Sequence, residues 1–203
     1  MTALVDRAIL AAGLGPIAEA RRTGDLARVQ QASVALGALD ACDLLALGAL
    51  ADRIRKEEVG DVVRIFTRGA PLPGADVVVL SAEDANGSSS RGTLLRRVAF
   101  ARITGPLRAR IVVDWASVGL ELAQVALGFG ASELSGPVVT RRGLPIAEDR
   151  TQKVKGAGLV SSQLLKKREL AVLVGIAGRE AVFDDGTDER HAIAEEGTAL
   201  EHS

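Results

Sequence analysis

Residues 110–139 read RIVVDWASVGLELAQVALGFGASELSGPVV, and this stretch decides the fold. The run RIVVD at 110–114 is short, apolar and rich in Val, which is typical of a strand buried inside a parallel sheet. Apolar residues then recur at intervals of three and four, which predicts one amphipathic helix with a stripe formed by Trp115, Val118, Leu122, Val125 and Phe129. A Gly-rich turn follows, and residues 134–139 return to a strand pattern. The stretch therefore resembles two consecutive steps of an α/β barrel.

The same alternation extends towards the N-terminus. Residues 61–67 and 75–81 are two more Val-rich apolar runs, and a helical segment at 94–103 precedes the opening stretch. We therefore predict an α/β protein with four parallel strands, at 61–67, 75–81, 110–114 and 134–139, joined by right-handed helical crossovers. A TIM-type barrel needs eight such strands, so this count amounts to half a barrel. A further helix is predicted at 161–178, and residues 180–185 form at most one short additional strand.

The chain divides into three parts that form one domain overall. Residues 1–60 read as an N-terminal helical extension, with Asp25 as a helix N-cap and Gly60 as a C-cap. Residues 61–185 carry the half-barrel core. Residues 186–203 are polar and read as a disordered tail.

Composition excludes several kinds of chemistry. The chain has 203 residues, a formal net charge of −1, one cysteine, two histidines and no tyrosine. One cysteine allows neither a disulfide within the chain nor an iron–sulfur cluster, which needs about three or four thiolates. Both histidines, His191 and His202, lie in the polar tail, so no His-based zinc site or nucleophile–His pair is expected in the folded part. Catalysis would depend on carboxylates, Lys, Arg, Ser and backbone groups.

The same composition bounds partners and location. A balanced charge gives no electrostatic argument for binding nucleic acid or an anionic membrane. No apolar run approaches the roughly 18 residues that span a bilayer, so no membrane association is expected. The N-terminus MTALVDRAIL lacks an uninterrupted signal-peptide core, and a cytoplasmic location is the expectation.

A polar loop follows the strand at 75–81, where α/β folds place their sites. The sequence NGSSSRGT before a helix would present backbone N–H groups to an anion, although it lacks the Gly-Lys-Ser/Thr ending of a phosphate loop. The alternative is an ordinary surface loop. The candidate ligand-binding residues here are Ser81, Glu83, Asp84, Asn86, Ser88, Ser89, Ser90 and Arg91.

Two more candidates end the strand at 110–114. Asp114 is either a carboxylate in a pocket or the N-cap of the next helix, and the cap is the simpler interpretation. Trp115 either stacks on a substrate or packs in the core or an interface, and packing is favoured. Neither position indicates a metal, and no metal site is predicted.

A family resemblance connects these segments. LLALGALADRIRKEEVGDVVRIFTR (44–68) resembles the N-terminal helix and first barrel strand of radical-SAM enzymes of menaquinone and deazaflavin biosynthesis. That group includes aminofutalosine synthase and dehypoxanthine futalosine cyclase of the futalosine pathway. LLRRVAFARI (94–103) and the stretch 107–139 are similar to the last barrel strands of these enzymes, and GLELAQVALGFGA is the most specific part.

The chain also departs from that family. After its first strand the family has a C-x-x-x-C-x-x-C loop for the cluster and S-adenosylmethionine, whereas residues 67–76 read TRGAPLPGAD. The resemblance aligns the strand at 75–81 with the sixth barrel strand and so implies a deletion of strands two to five. Strands one, six, seven and eight would remain, and they are contiguous because strand eight neighbours strand one in a closed barrel. Neither an iron–sulfur cluster nor S-adenosylmethionine is expected as a cofactor.

A half-barrel exposes two sheet edges and one apolar face. We expect that face to be lined by Val62, Val77, Val79, Ile111 and Val113. Three covers are open: the N-terminal helices of the same chain, a second copy, or a full-length relative. A homodimer that rebuilds an eight-stranded barrel is favoured.

The resemblance and the missing cluster loop together predict a pseudoenzyme. The expected function is a non-catalytic half-barrel homologue that acts as a binding, regulatory or assembly subunit, with a small-molecule ligand as an option. The alternative is a small cofactor-independent enzyme that uses carboxylates at the strand C-terminal ends of a barrel re-formed by dimerisation.

Overall fold

A computed structural model describes residues 2–36, 42–67, 70–81, 91–139 and 165–184. Within these ranges the chain is an α/β protein. Its helices are α1 (Thr2–Ala11), α2 (Gly15–Arg22), α3 (Leu26–Ala35), α4 (Leu44–Val59), α5 (Arg91–Thr104), α6 (Trp115–Val118), α7 (Leu120–Leu127) and α8 (Lys167–Ile176). Its strands are β1 (Val62–Phe66), β2 (Val77–Leu80), β3 (Arg110–Asp114), β4 (Glu133–Ser135), β5 (Val138–Val139), β6 (Leu165–Lys166) and β7 (Glu180–Asp184).

The main sheet has five strands in the order β2-β3-β4-β1-β7, and every neighbouring pair is parallel. The prediction of an α/β fold with parallel strands is confirmed. The count of four was wrong, because the short run near residue 180 pairs with β1 along its whole length. β4 lies beside β1, so the four strands that the sequence predicted are adjacent in the sheet.

Helices cover one face of this sheet. Helix α4 starts after the Asp43 cap, ends at Gly60 and packs with α5. Helices α5 and α7 each contact β3, and α8 contacts β7. The side chains beneath the helices form one core with them, which includes the fully buried Val63, Ile65, Ile111, Val113 and Leu134. The expectation that Ile111 and Val113 line the opposite face was therefore wrong, and Val112 lies there instead in a separate small cluster.

The N-terminal helices extend the helical layer. Helix α1 packs on α4 and α3 packs on α5, while Ile9, Leu14 and Ile17 join the same core. Asp25 caps α3 through the Arg28 amide, as predicted. The proposed intramolecular cover is thus contradicted for α1–α3, because these helices lie on the side of the sheet that is already covered.

Two predicted elements are each broken at a glycine. The helix predicted after β3 divides at Gly119, whose φ of +87° favours glycine, into α6 and α7. The residues of α7 that are fully buried are Ala123, Ala126 and Leu127, whereas Val125 is 49% exposed, so the predicted apolar stripe was wrong there. The break turns α7 relative to α6, and a single helical period therefore cannot describe both.

The strand predicted at 134–139 is also two strands. Gly136 and Pro137 separate β4 from β5, and β5 pairs with β6 in a second, two-stranded sheet. Proline has no amide hydrogen to donate to a ladder, which explains the interruption. Helix α8 begins at Lys167, after β6, rather than at residue 161.

A buried arginine holds the N-terminal end of the sheet together. Arg102 of α5 is fully buried and donates to the carbonyls of Gly130 (2.9 Å) and Ala109 (2.7 Å) and to the Ser132 hydroxyl (3.2 Å). Burial lowers the pKa of Arg102 to about 10, although Glu58, 3.8 Å away, favours the charged form. One side chain thereby fixes the approaches to β3 and β4.

Two further arginines attach helix α2 and the segment before β7 to this core. Arg21 of α2 forms a two-pronged ion pair with Glu58, at 2.7 and 2.9 Å, and donates to three carbonyls around Gly105. Arg179, which precedes β7, pairs with Asp52 of α4 and donates to the Leu127 carbonyl. Its side chain is 4% exposed, and burial lowers its pKa.

Replacing Arg102 tests its role in holding the N-terminal end of the sheet together. Arg102→Met should lower the free energy of unfolding by about 2 kcal/mol, because two buried carbonyls lose their donors. Chemical denaturation followed by circular dichroism measures the effect. Arg28→Met removes the same charge from an exposed position and should change stability by no more than about 0.5 kcal/mol. Equal effects of the two substitutions would contradict the anchor role.

Candidate functional site

The candidate site lies at the C-terminal end of the sheet, on the face without the helices described above. Strand register aligns Asp114, Ser135, Phe66 and Asp184 across four neighbouring strands. Ser81 follows Leu80, which pairs with Val113, and so continues this row at its β2 end. Because strands in parallel sheets end at a common edge, the row forms a polar rim of the kind that holds sites in α/β folds.

Asp114 caps the following helix. Its Oδ1 accepts a hydrogen bond of 3.0 Å from the Ala116 amide, and its carbonyl accepts from the Ser117 hydroxyl. The cap interpretation of Asp114 is therefore confirmed. Asp114 remains partly exposed at the rim, so its carboxylate is also a member of the polar row.

A buried ion pair lies one row deeper. Glu133 of β4, 6% exposed, accepts a 2.8 Å hydrogen bond through Oε1 from Nε of Arg110. The Arg110 guanidinium also lies 5.6 Å from the centre of the Phe66 ring, within the range of a cation–π contact. Phe66, with Val77 and Val112, forms the small apolar cluster of this face. The face thus combines an aromatic ring, a carboxylate and a guanidinium.

Three polar atoms at the rim or one row below it have no hydrogen-bond partner among the residues that the structure describes. They are Oε2 of Glu133, Oγ of Ser135 and Nε1 of Trp115. Ser135 is fully buried, and Glu133 and Trp115 are 6% and 4% exposed. Because a buried polar atom without a partner is costly, such a group in a native fold calls for a water or a ligand. Register places Glu133 and Ser135 on the face opposite the main core, where they offer two acceptors and one hydroxyl donor, whereas Trp115 packs in the main core.

Trp115 packs closely against the end of β4. A Cβ built on Gly136, whose φ is +154°, would lie 2.3 Å from Cε2 of the indole ring. Only glycine leaves room for the ring, so Gly136 both ends β4 and seats Trp115 beside Ser135. Trp115 belongs to the main core, which confirms the packing interpretation of this residue.

The loop candidates fall mostly outside the described residues. This applies to Glu83, Asp84, Asn86, Ser88, Ser89 and Ser90. Ser81 is half-buried at the end of β2, and Arg91 is the first residue of α5. Their assignment to an anion site stays a prediction. The polar tail at 186–203 lies outside the described residues as well.

Sequence reasoning missed Glu133, Ser135 and Arg110. Glu133 and Ser135 flank Leu134. The alternation of polar and apolar residues in ELS indicates that Glu133 and Ser135 share one face of the strand and Leu134 lies on the other. Arg110 precedes the apolar run formed by Ile111, Val112 and Val113. Its partner is 23 residues away in the sequence, and only the pairing of β3 with β4 joins the two.

Two grooves elsewhere have charged linings in which several of the charges form ion pairs. One, of about 250 Å³, lies among α1, α2 and α4, where Arg53 pairs with Asp6. The other, of about 360 Å³, lies below α2, where Arg21 pairs with Glu58. Neither groove has an unpartnered buried polar atom in its lining, within the described part of the chain. The rim of the sheet is therefore the stronger candidate.

Wider properties add little to this picture. Across the described ranges no group of three or more His, Cys, Asp or Glu side chains has a metal-binding arrangement. None of the helices in those ranges has the length and apolar character to cross a bilayer. No family model matches the chain, and no curated protein matches it either.

Gly136→Ala tests the seat of Trp115. The added methyl group would overlap the indole ring, so we expect a loss of about 2 kcal/mol in the free energy of unfolding. The emission maximum of the only Trp should also shift to longer wavelength as the ring is displaced. Gly175→Ala, in α8 with no atom within 4 Å of its built Cβ, is the control and should be neutral or slightly stabilising. Unchanged emission in Gly136→Ala would contradict this packing.

Proposed function

We propose that this chain is a non-catalytic half-barrel subunit that functions by association, with two copies covering each other's helix-free sheet face. The observation that carries the proposal is the one-sided cover of a parallel sheet. All-parallel sheets are normally buried on both faces, because an exposed face leaves a broad surface of strand side chains in water. Here the described helices pack on one face alone. On the other face Phe66, Val112 and Glu133 are buried, and the side chains open to solvent lie on β1 and β7, where Val62 and Val182 are 47% and 45% exposed.

The topology supports a barrel ancestry for this sheet. Doubly wound folds carry helices on both faces, whereas barrels carry them only outside. The order β2-β3-β4-β1 is also the order that strands six, seven, eight and one of a closed barrel would have. The link to radical-SAM enzymes of menaquinone and deazaflavin biosynthesis comes from the motifs quoted above, and the pathway belongs to the proposal on that ground.

The fifth strand changes how two copies would combine. β7 lies beside β1, in the place that a barrel gives to its second strand, one of those that the resemblance counts as deleted. Two copies would therefore bring ten strands rather than eight. Face-to-face packing of two sheets suits this number better than an eight-stranded barrel, and it would cover the exposed part of the helix-free face on β1 and β7.

The first test is the mass in solution. Light scattering coupled to size-exclusion chromatography should give twice the chain mass of 21.1 kDa. If the chain associates with a full-length relative rather than with itself, a pull-down from native lysate should recover that relative. A chain that stays monomeric at high concentration and captures no such relative would contradict the proposal.

A second candidate function is favoured by the unpartnered polar atoms at the sheet rim. In it the chain is a small cofactor-independent enzyme, or a binding protein, with Glu133 and Asp114 as its carboxylates. Glu133 keeps one oxygen free of described partners while the other binds Arg110, so it is held in place and still able to accept a hydrogen bond. A primary amine that also carries a hydroxyl would match this carboxylate and the Ser135 oxygen.

Trp115 is a built-in reporter for that candidate, because the chain has one Trp and no Tyr. Titration with ethanolamine should change the Trp emission in a saturable way, whereas ethylene glycol, which lacks the ammonium group, should have a much weaker effect. Glu133→Gln should abolish the response, and Glu121→Gln on the exposed face of α7 should retain it. A flat titration with the unmodified chain would contradict this second candidate function.

A further inference from the structure

Four exposed side chains form a compact patch on the helix-free face, at the end of the sheet formed by β1 and β7. Val62 and Val182 are 47% and 45% exposed, and Arg64 and Glu180 are exposed as well. Register places Val62 beside Glu180 and Arg64 beside Val182. We call these four residues the β1–β7 patch. Its two valines lie on one diagonal, and its two opposite charges lie on the other.

The position of the patch follows from strand alternation. Val63, Ile65, Ala181 and Phe183 point into the helix-covered core, so the residues between them face the other way. Two rows of two strands span about 5 by 7 Å, which brings the four side chains into one contact surface. β7 is the last strand of the sheet among those described, and the patch is therefore reachable from outside.

The charges of the patch are not used within the described part of the chain. Neither the Arg64 nor the Glu180 side chain has a hydrogen bond or ion pair with a residue that the structure describes. In contrast, Arg110 on the same face is paired with Glu133. Exposed valines beside unpaired opposite charges have the composition of a small interface, with an apolar centre and charged neighbours.

We propose that the β1–β7 patch is the self-association surface of this chain, and that its occupant is the same patch of a second copy. Rotation by 180° about an axis parallel to the Val62–Val182 diagonal, lying between the two copies, superimposes the partner's patch on the first with the charges exchanged. Arg64 then meets the partner's Glu180, Glu180 meets the partner's Arg64, and each valine meets its own equivalent. The patch is thus complementary to itself in both charge and apolarity, which no arbitrary partner would require.

This inference rests on the proposed function and names its contact surface. The competing interpretation is that Glu180 and Arg64 are solvated charges that discourage pairing at an edge strand. The two interpretations differ when the charges are exchanged. In a symmetric contact, reversing one of the two charges should weaken dimerisation and reversing both should restore it. If the charges are only solvated, none of these changes should affect dimerisation.

Charge exchange between Arg64 and Glu180 is the test. Arg64→Glu places Glu against the partner's Glu180 at both symmetric contacts, and Glu180→Arg places Arg against Arg64 at both. Each single variant should weaken dimerisation by about tenfold or more, as measured by analytical ultracentrifugation. The double variant R64E/E180R restores opposite charges and should dimerise nearly as well as the unmodified chain. An equimolar mixture of the two single variants should form a heterodimer, because both of its contacts are then attractive.

Matched controls separate the possible failures. Arg28→Glu and Glu121→Arg make the same charge changes at exposed positions on α3 and α7, on the helical side, and should leave dimerisation unchanged. Circular dichroism checks that each variant is folded. If the unmodified chain is monomeric, association of two copies fails both as the proposed function and as the role of this patch. If it is dimeric and the single variants behave like the controls, or the mixture does not associate, the patch is overturned and the proposed function stands.

Discussion

The one-sided helical cover of a parallel sheet is the constraint on which the rest of this structure depends. The steps from β2 to β3 to β4, and on to β7, all run in one direction, so right-handed crossovers place their helices on the same side. The connection from β1 back to β2 spans three strand positions, and its described residues form no helix. Within the described ranges, no helix packs on the second face. The functional proposals therefore depend on the residues of that face.

The paired buried arginines and the buried polar atoms without described partners lie in different parts of the sheet. At the N-terminal end, three buried arginines satisfy carbonyls at the chain turns that precede the strands, and their positive charges are balanced mainly by Glu58 and Asp52. In the middle of the sheet and at its C-terminal rim, Glu133 and Ser135 respectively keep oxygens without described partners. In barrel folds the N-terminal end of the strands stabilises the structure and the C-terminal end carries the sites, which is the end where Ser135 lies.

The sequence patterns predicted local features correctly, but they did not predict which side of a strand or helix is buried. The strands β1, β2 and β3 and the caps at Asp25 and Gly60 follow from residue type and short-range pattern, and they were found. The run IVVD has no polar alternation, so its pattern could not show that Ile111 and Val113 face the helices while Val112 faces away. The break at Gly119 rotates α7, and the buried face there is made of small residues rather than the predicted large ones.

The site was predicted in part for the same reason. Asp114 and Trp115 end an obvious strand, and position alone identified them. Glu133, Ser135 and Arg110 gain their meaning only from the registration of β3 with β4 and β1. Pairing of β7 with β1 was likewise invisible, because two segments more than a hundred residues apart create the β1–β7 patch. Non-local parallel pairing leaves no periodic signature in one sequence.

Register also couples the two surfaces of the helix-free face. Arg64 lies directly across from Glu133 on one side and from Val182 on the other, so it belongs to the rows of both the candidate site and the β1–β7 patch. A partner's Glu180 that engages Arg64 would draw positive charge away from Glu133 and leave that carboxylate with Arg110 as its cation. The electrostatic balance at Glu133 would then favour a cationic ligand more in the dimer than in the monomer. Association and ligand binding would thus be linked through one side chain, and by thermodynamic reciprocity a cationic ligand at Glu133 would in turn strengthen the dimer.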